Sequence, residues 1–315
     1  MLSTICAAMV LMNPGSGEVL APELSVLKKQ MDEVAAGFRG RLGYHVIDLK
    51  TGRRFGFRDE ERYPSASTIK TVVMIELFNQ IEEGKMSFED KLDVPPVGQR
   101  NPSMWTAHLI EGTKVNLDGL NSLMMNVSDN TATVMLSQHV GIQNIEKRML
   151  GWGFENTACT IRTAGKGERL ERLYQTFANM GVTSPVEMAS ILKLIHDGKA
   201  ASPAACEKMI RIMSSQYWDD FIDWSVPSDV VIASKVGALQ RSRSDSAIVY
   251  GPRPYILTVY TDNATDRSWG FDCEGHVAIR KLGGLAWNGM NPGRSYHPKE
   301  GAKKWAPTGG GVEDS

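Results

Sequence analysis

The sequence lacks the features that mark metal sites, disulfide scaffolds and membrane spans. Its four cysteines, Cys6, Cys159, Cys206 and Cys273, stand far apart without a CxxC pair, and its six histidines form no HxH or HxxxH pair. We therefore expect neither a disulfide framework nor a bound metal, and no other cofactor. No stretch approaches the roughly 20 apolar residues that cross a membrane, so we expect no membrane span.

The chain also lacks an excess of charge of either sign. Lys and Arg number 35 against 36 Asp and Glu among 315 residues, so the formal net charge is -1. Nucleic acids and anionic membranes attract cationic surfaces, and this balance gives no reason to expect either as a partner. Hydrophobic residues make up 42% and charged residues 23%, which is typical of a globular protein with a full core.

The two ends of the chain differ from the rest. Residues 1–12 are apolar and precede a stretch with Gly and Pro, but the basic residues that open a secretory signal are missing. Residues 1–21 are therefore either a leader or a frayed terminus. Residues 291–315 contain much Gly, Pro, Lys and Ser with few apolar residues, which predicts a flexible tail.

Between these ends, hydrophobic periodicity predicts strands near both termini and helices in the middle. Apolar residues spaced by three and four predict a helix over 22–38, and a β-hairpin follows over 42–49 and 54–58. Further helices are predicted over 68–83, 103–111, 117–126, 130–139, 142–150, 185–197 and 203–214, and strands return only over 230–235, 245–250 and 255–260.

The economical arrangement of these elements is an α/β (α+β) fold. It has one five-stranded antiparallel sheet, built from both ends of the chain and flanked by helices, with an all-α subdomain inserted. Residues 22–290 form the domain. Within it, residues 22–66 and 216–290 are predicted to form the sheet subdomain and residues 67–215 the helical one.

A serine and a lysine open the predicted helix over 68–83. Ser67 and Lys70 are three residues apart, which places both side chains on one face of a helix. A lysine enclosed away from water has a lowered pKa and can accept the proton of a serine nucleophile. A serine cap beside a solvent-reaching lysine is the alternative, but the apolar neighbours Ile69 and Val72 argue against it.

A second candidate element is Ser128-Asp129-Asn130, which stands between two predicted helices. The hydroxyl of Ser128 can relay a proton to a leaving group, and the amide of Asn130 can bind a substrate carbonyl. Asp129 would then hold the turn through nearby backbone groups. The alternative is an Asp cap for the helix over 130–139, which is the more common role of such a sequence.

A third candidate element, Ser234-Lys235-Val236-Gly237-Ala238, closes a predicted strand. Lys235 would add positive charge to a cleft, and Gly237 would let a substrate backbone approach the strand edge. An exposed edge lysine is the alternative.

The order and spacing of these elements resemble the class A serine β-lactamases and the wider penicillin-binding family, with their SxxK, SDN and KTG motifs. Ser128 follows Ser67 by 61 residues, and Lys235 follows Ser128 by 107. The resemblance covers about residues 22–290 and implies the same fold. It also implies a monomeric hydrolase without cofactor, exported to the periplasm or secreted, that acts on a small β-lactam or a related acyl amide or ester.

The resemblance assigns roles to the candidate residues. Ser67 would attack the carbonyl with help from Lys70, and the backbone N–H groups of Ser67 and Ala238 would form the oxyanion hole. Ser128 and Lys235 would pass a proton to the leaving nitrogen. Substrate binding would involve Asn130, Lys235, Gly237, Ala238, Arg243 and Trp105. Trp105 would form an aromatic wall of the cleft; the alternative is an ordinary core or surface tryptophan.

Two departures from the family pattern bear on activity. Val236 has no hydroxyl for a substrate carboxylate, a loss that Arg241 or Arg243 would have to offset as a guanidinium clamp. The ExxLN segment that carries the class A general base is missing from residues 161–173, where Glu168 and Glu171 are the only carboxylates and are expected to form solvated ion pairs.

Three functions therefore stay open. The first is a β-lactamase that turns over through an acyl-enzyme on Ser67. The second is a D-alanyl peptidase, an esterase or a penicillin-binding protein that releases its acyl group slowly. The third, least favoured because all five motif residues are present, is a binding domain without catalysis.

Overall fold

The computed structural model of the chain describes residues 20–161, 167–177 and 180–299. Residues 1–19 of the predicted leader and residues 300–315 of the predicted tail lie outside these ranges. The first part of that tail, up to Tyr296, packs on the domain and is not a flexible extension. Trp287 Nε1 donates to the carbonyl of Arg294 at 2.9 Å, and the side chain of Asn288 donates to the carbonyl of Tyr296 at 3.1 Å.

Among the described residues, the first helix and hairpin and the three late strands follow the predicted order. The helices are α1 Pro22–Ala36, α2 Lys70–Glu82, α3 Leu117–Asn126, α4 Asn130–Val140, α5 Ile142–Gly151, α6 Glu168–Phe177, α7 Pro185–His196, α8 Pro203–Met213 and α9 Glu274–Met290. The strands are β1 Arg41–Asp48, β2 Arg54–Phe57, β3 Tyr63–Pro64, β4 Lys91–Asp93, β5 Lys114–Asn116, β6 Ala158–Cys159, β7 Gly181–Thr183, β8 Val231–Leu239, β9 Ser242–Tyr250 and β10 Tyr255–Asp262.

One antiparallel sheet organises the domain. Its five strands lie in the order β2-β1-β10-β9-β8, so strands from both ends of the chain pair at the β1–β10 ladder. This confirms the predicted five-stranded antiparallel sheet. Strand β8, which carries Lys235, is an edge strand, and an edge strand has one side free to border a cleft.

The two faces of the sheet bury separate apolar clusters because side chains alternate along each strand. On β9, Val249 packs with α1 and α9, whereas Ile248 packs with α2, α7 and α8. Helix α2 is buried over nearly its whole circumference, as its apolar pattern predicts. The helix that opens beside Ser67 is therefore held on every side and offers a rigid base for a site.

The predicted middle was wrong in two respects. Short strands occur there as well, since β4 pairs with β5 and β7 pairs with both β3 and β6. The helix predicted over 103–111 is only a 3₁₀ turn, Trp105–His108. Buried Arg100 donates to the carbonyls of Thr106 and Leu109, so these groups are satisfied by a side chain rather than by a helix.

Sequence analysis also missed α6 and α9. Helix α9 contains four glycines, which lower helix propensity by about 1 kcal/mol each relative to alanine. Tertiary packing offsets this cost. A Cβ on Gly283 would stand only 3.2 Å from the Cα of Ile222, so the glycine permits close contact with that segment, while Ile279 and Trp287 are fully buried against the sheet.

The structure also bears on the predicted lack of a disulfide framework and of a membrane span. Cys159, Cys206 and Cys273 are buried with free thiols. Across the ranges that the structure describes, no helix combines the length and the apolar character that a bilayer crossing requires.

Candidate active site

The turn that carries Ser67 lies where α2 meets the edge of the sheet. Residues Ala66–Ile69 form a 3₁₀ turn that runs directly into α2, and the N–H of Lys70 donates to the carbonyl of Ser67. Residues three apart in such a turn lie one above the other. Ala66 has a φ of 47°, a left-handed conformation that is uncommon for alanine. The half-buried Ser67 is thus set on a sharply bent backbone and remains accessible.

Lys70 is fully buried, and its amine contacts the second motif. Nζ lies 2.6 Å from the carbonyl oxygen of Ser128, 3.0 Å from Ser128 Oγ and 2.8 Å from Asn130 Oδ1. Burial lowers the pKa of Lys70 well below its ordinary value, the positive charge of Lys235 lowers it further, and the carboxylate of Asp129 opposes both effects. Burial therefore shifts the amine toward the unprotonated form that a general base requires.

Within the described part of the chain, no hydrogen bond joins the hydroxyl of Ser67 to the side-chain amine of Lys70. A neutral amine has one lone pair, and Ser128 Oγ is close enough to donate to it. A proton from Ser67 can therefore reach the amine directly after a small rearrangement or by way of Ser128. Catalytic hydrogen bonds are often long without substrate, so this geometry is compatible with a nucleophile and base.

Asp129 fixes the turn between α3 and α4. Its carboxylate accepts from the N–H of Ala132 at 2.9 Å, from the N–H of Thr106 at 2.8 Å and from Thr106 Oγ1 at 2.9 Å. The residue is both an N-cap of α4 and a tie to the Trp105–His108 turn. Ser128 adopts a φ of 63°, and these bonds hold it in that strained conformation beside Lys70.

Lys235 on β8 is also fully buried, which contradicts the alternative of an exposed edge lysine. Its amine donates to the carbonyl of Val236 at 3.1 Å. Burial lowers the pKa of Lys235 to about 7, although the carboxylate of Asp245 opposes the shift. Lys235 therefore exchanges its proton near neutral pH and lies within electrostatic reach of Lys70.

Gly237 lets β8 approach the turn that carries Ser67. A Cβ at this position would stand 2.6 Å from Ser244 Oγ, 2.9 Å from the Cβ of Ala66 and 2.9 Å from the carbonyl oxygen of Ser65. The glycine is thus needed first for the contact between strand and turn. Ala238 follows it on the strand, which brings the two backbone segments predicted to form an oxyanion hole next to each other.

The structure does not bring the two predicted guanidinium groups into the cleft. Arg243 lies on the other face of the sheet from Ile248, because it alternates with Ser244 along β9. Its side chain donates to the carbonyls of Leu239, Ser242 and Ser268. Arg241, at the hairpin tip, donates to the carbonyls of Asn263 and Ala264 at 3.4 Å.

Trp105 is 53% exposed and belongs to an aromatic group beside the second motif. Its ring packs edge-on against Tyr217, with 6.2 Å between centroids, and Tyr217 packs in the same way on Trp218. The N–H of Tyr217 donates to Asn126, and the indole of Trp218 donates to Val127, just before Ser128. Trp105 is therefore an exposed residue beside the Ser128 turn and not a core residue, and its role as a wall of the cleft stays a prediction.

Two site residues were missed from the sequence. Asp245 is a buried carboxylate between two serines of β9, just before the apolar second half of that strand. Tyr217 belongs to an adjacent aromatic pair that follows α8, yet nothing in its local pattern indicates contact with residue 105.

The predicted carboxylates of α6 do not reach the reacting groups. Glu168 is exposed at the start of α6, and neither Glu168 nor Glu171 is among the charges that shift the pKa of Lys70. Within the described residues, the carboxylate that acts on Lys70 is Asp129, which is already saturated by backbone and hydroxyl donors. The same residues contain no group of three His, Cys, Asp or Glu side chains arranged to hold a metal ion.

Comparison with known proteins identifies relatives of the chain. A family model described as the Beta-lactamase enzyme family matches residues 26–290. Beta-lactamase SME-1 of Serratia marcescens is 25% identical over 247 residues, covering 74% of this chain and 80% of that protein. Beta-lactamase CTX-M-8 of Citrobacter amalonaticus is 24% identical over 270 residues, covering 82% and 88%.

Solved structures show the same fold. PBP-A superposes with a TM-score of 0.74 at 20% identity, covering 85% of this chain and 97% of that chain. A beta-lactamase from Sphaerobacter thermophilus superposes with a TM-score of 0.73 at 22% identity, covering 85% and 98%.

We expect Gly237→Ala to lower stability by about 1–3 kcal/mol, because the new methyl group forces β8 away from Ala66 and Ser65. Thermal unfolding measures the loss. Gly98→Ala is the matched control, since an added Cβ there meets nothing within 4 Å. Equal melting temperatures for the two variants would show that the strand tolerates the methyl group and that the close approach is not required.

We expect Lys70→Arg to slow acylation of the protein by about 10²–10⁴-fold, because a guanidinium stays protonated and cannot accept a proton. Stopped-flow or quenched mass spectrometry with an acyl donor measures the rate. Lys281→Arg, at an exposed position of α9, is the control. A Lys70→Arg variant that acylates as fast as this control would remove the lysine from the role of base.

Proposed function

Because the chain belongs to the beta-lactamase enzyme family, we propose that it is a serine hydrolase that opens β-lactam or related amide or ester bonds through an acyl-enzyme on Ser67. The observation that supports this most is the buried amine of Lys70, bonded to Ser128 and Asn130 beside an accessible serine. A serine hydroxyl becomes a nucleophile when a neighbouring unprotonated base takes its proton.

The proposed reaction has two steps. Ser67 Oγ bonds to the carbonyl carbon while Lys70 accepts its proton, and the N–H groups of Ser67 and Ala238 stabilise the developing oxyanion. The C–N or C–O bond then breaks, and Ser128 with Lys235 returns a proton to the leaving atom. Water finally attacks the ester carbon and releases Ser67 with a carboxylic acid product.

Slow release of the acyl group is a second candidate function. The part of the chain between β6 and β7 has only Glu168 and Glu171 as carboxylates, and neither affects the pKa of Lys70. Without a carboxylate to activate water, the acyl-enzyme would persist, as in a penicillin-binding protein. A mutant form of the structural relative PBP-A was solved as an acyl-enzyme complex with penicillin G.

Location and assembly remain proposals from family membership. We propose export to the periplasm or secretion, and a monomeric protein without a nucleic-acid partner. Fractionation of cells and size-exclusion chromatography test these two points.

Acylation of Ser67 is tested by intact-protein mass spectrometry after brief incubation with penicillin G. We expect a mass increase equal to that of the whole β-lactam, because ring opening loses no atoms, and none with Ser67→Ala. Ser65→Ala, at a buried serine two residues earlier, is the matched control and should still be labelled. An adduct on Ser67→Ala would mean that another residue is the nucleophile.

The lifetime of the same adduct separates the two candidate functions. After removal of excess penicillin, loss of the adduct within a second indicates a hydrolase with turnover. An adduct that persists for minutes or longer indicates the slowly deacylating protein.

We expect the acylation rate to follow a bell-shaped pH profile. Its rising limb reports deprotonation of Lys70, and its falling limb, near pH 7, reports loss of the proton from Lys235, whose pKa burial lowers to about 7. Lys235→Arg should move the falling limb to higher pH because a guanidinium keeps its charge. A falling limb unchanged in that variant would exclude Lys235 as the titrating acid.

A further inference from the structure

The hairpin of β8 and β9 borders the cleft and carries three cationic residues, Lys235, Arg241 and Arg243. A substrate carboxylate beside the scissile bond needs a cation or hydroxyl donors at this edge. The surroundings of each residue therefore indicate which acyl donors the cleft can accept.

Both terminal nitrogens of the Arg243 guanidinium donate to carbonyl groups on the far face of the sheet. Besides its bond to Ser242 O at 2.9 Å, the guanidinium donates to Ser268 O at 2.6 Å, and the centroid of the Trp269 ring lies 4.4 Å from its central carbon. Arg243 is only 2% exposed. Turning it toward the cleft would break these contacts and leave the carbonyl of buried Ser242 without this donor, which costs about 1–3 kcal/mol.

The position next to the lysine on β8 offers no donor to an anion. Val236 is 6% exposed and packs in the apolar cluster shared with α9. Its direct partner in the ladder is Asp245, so both side chains lie on the same face. Asp245 is 1% exposed, and its Oδ2 accepts from the N–H of Ile222 at 3.0 Å. Val236 and Asp245 thus lie on the face of the sheet opposite to Lys235, and neither offers a donor to an anion in the cleft.

Lys235 is the remaining cation of the hairpin at the cleft. It is buried, donates to the carbonyl of Val236, and has a pKa of about 7, so it is charged only part of the time at neutral pH. When Asp245 is ionised, its charge favours the protonated form of Lys235. The hairpin therefore offers a carboxylate in the cleft a single cation, whose amine already donates to a backbone carbonyl.

The surface beside the Ser128 turn is aromatic. Trp105 and Tyr217 are 53% and 38% exposed and pack edge-on beside the Ser128 turn. Exposed aromatic rings of this kind bind flat or apolar groups of a ligand rather than charged ones.

We propose that the cleft selects acyl donors without a carboxylate next to the scissile bond, that is, uncharged esters and amides. The inference rests on the proposed function, because Ser67 still performs the acylation. Ser67 Oγ forms an ester with the acyl carbon, the C–O or C–N bond breaks, and the departing alcohol or amine takes up the proton that Ser67 lost. Water then hydrolyses the ester to a carboxylic acid and free Ser67.

The test compares penicillin G with its methyl ester, which differ only in the carboxylate. Both are incubated with the wild-type protein at equal concentration, and the rate of adduct formation is followed by mass spectrometry, with Ser67→Ala as background. We expect the ester to acylate Ser67 at least as fast as the acid. Faster acylation by the acid overturns the proposal while leaving the proposed function intact, and labelling of Ser67 by neither compound overturns both.

Discussion

The arrangement of the site depends on the burial of one amine. Lys70 has no contact with solvent, and its Nζ is surrounded by two oxygens of Ser128 and the side-chain oxygen of Asn130. A charged amine in this position would lose its hydration, so burial shifts the equilibrium toward the neutral form. The fold can sustain this because α2 is enclosed by other helices and by the sheet, and the chemistry proposed for Ser67 follows from it.

Three distant segments must meet for that burial to occur, and each is held by a specific contact. Asp129 ties the turn of Ser128 both to α4 and to the loop of Thr106. Gly237 allows the edge strand to touch the turn of Ser67. Two residues of the site, Ala66 and Ser128, accept a left-handed backbone, which is a local cost that the surrounding hydrogen bonds and packing offset.

The charged residues at and near the edge strand β8 determine the electrostatics of the site. Lys235 and Asp245 lie on adjacent strands and opposite faces, and burial moves the pKa of both to about 7. Arg243 is directed to the far face, so guanidinium groups contribute little to the cleft. The aromatic pair Trp105 and Tyr217 lies exposed beside the turn of Ser128.

The sequence alone determined which residues form the motifs and in which order. Ser67 and Lys70 are three residues apart, so their proximity depends only on a single helical turn. Hydrophobic periodicity likewise indicates directly that α2 and the strands of the sheet are buried. It also predicted the five-stranded sheet. Tertiary structure decided the features that depend on contacts between distant segments. These include the direction of Arg243, which follows from the pairing of β8 with β9, and the aromatic contact of Tyr217. Helix α9 also depends on such contacts, because its glycines oppose a helix locally but fit tightly against their neighbours. Local propensity is a weak force that packing readily overrides, and no one-dimensional pattern records which side chains meet across a fold.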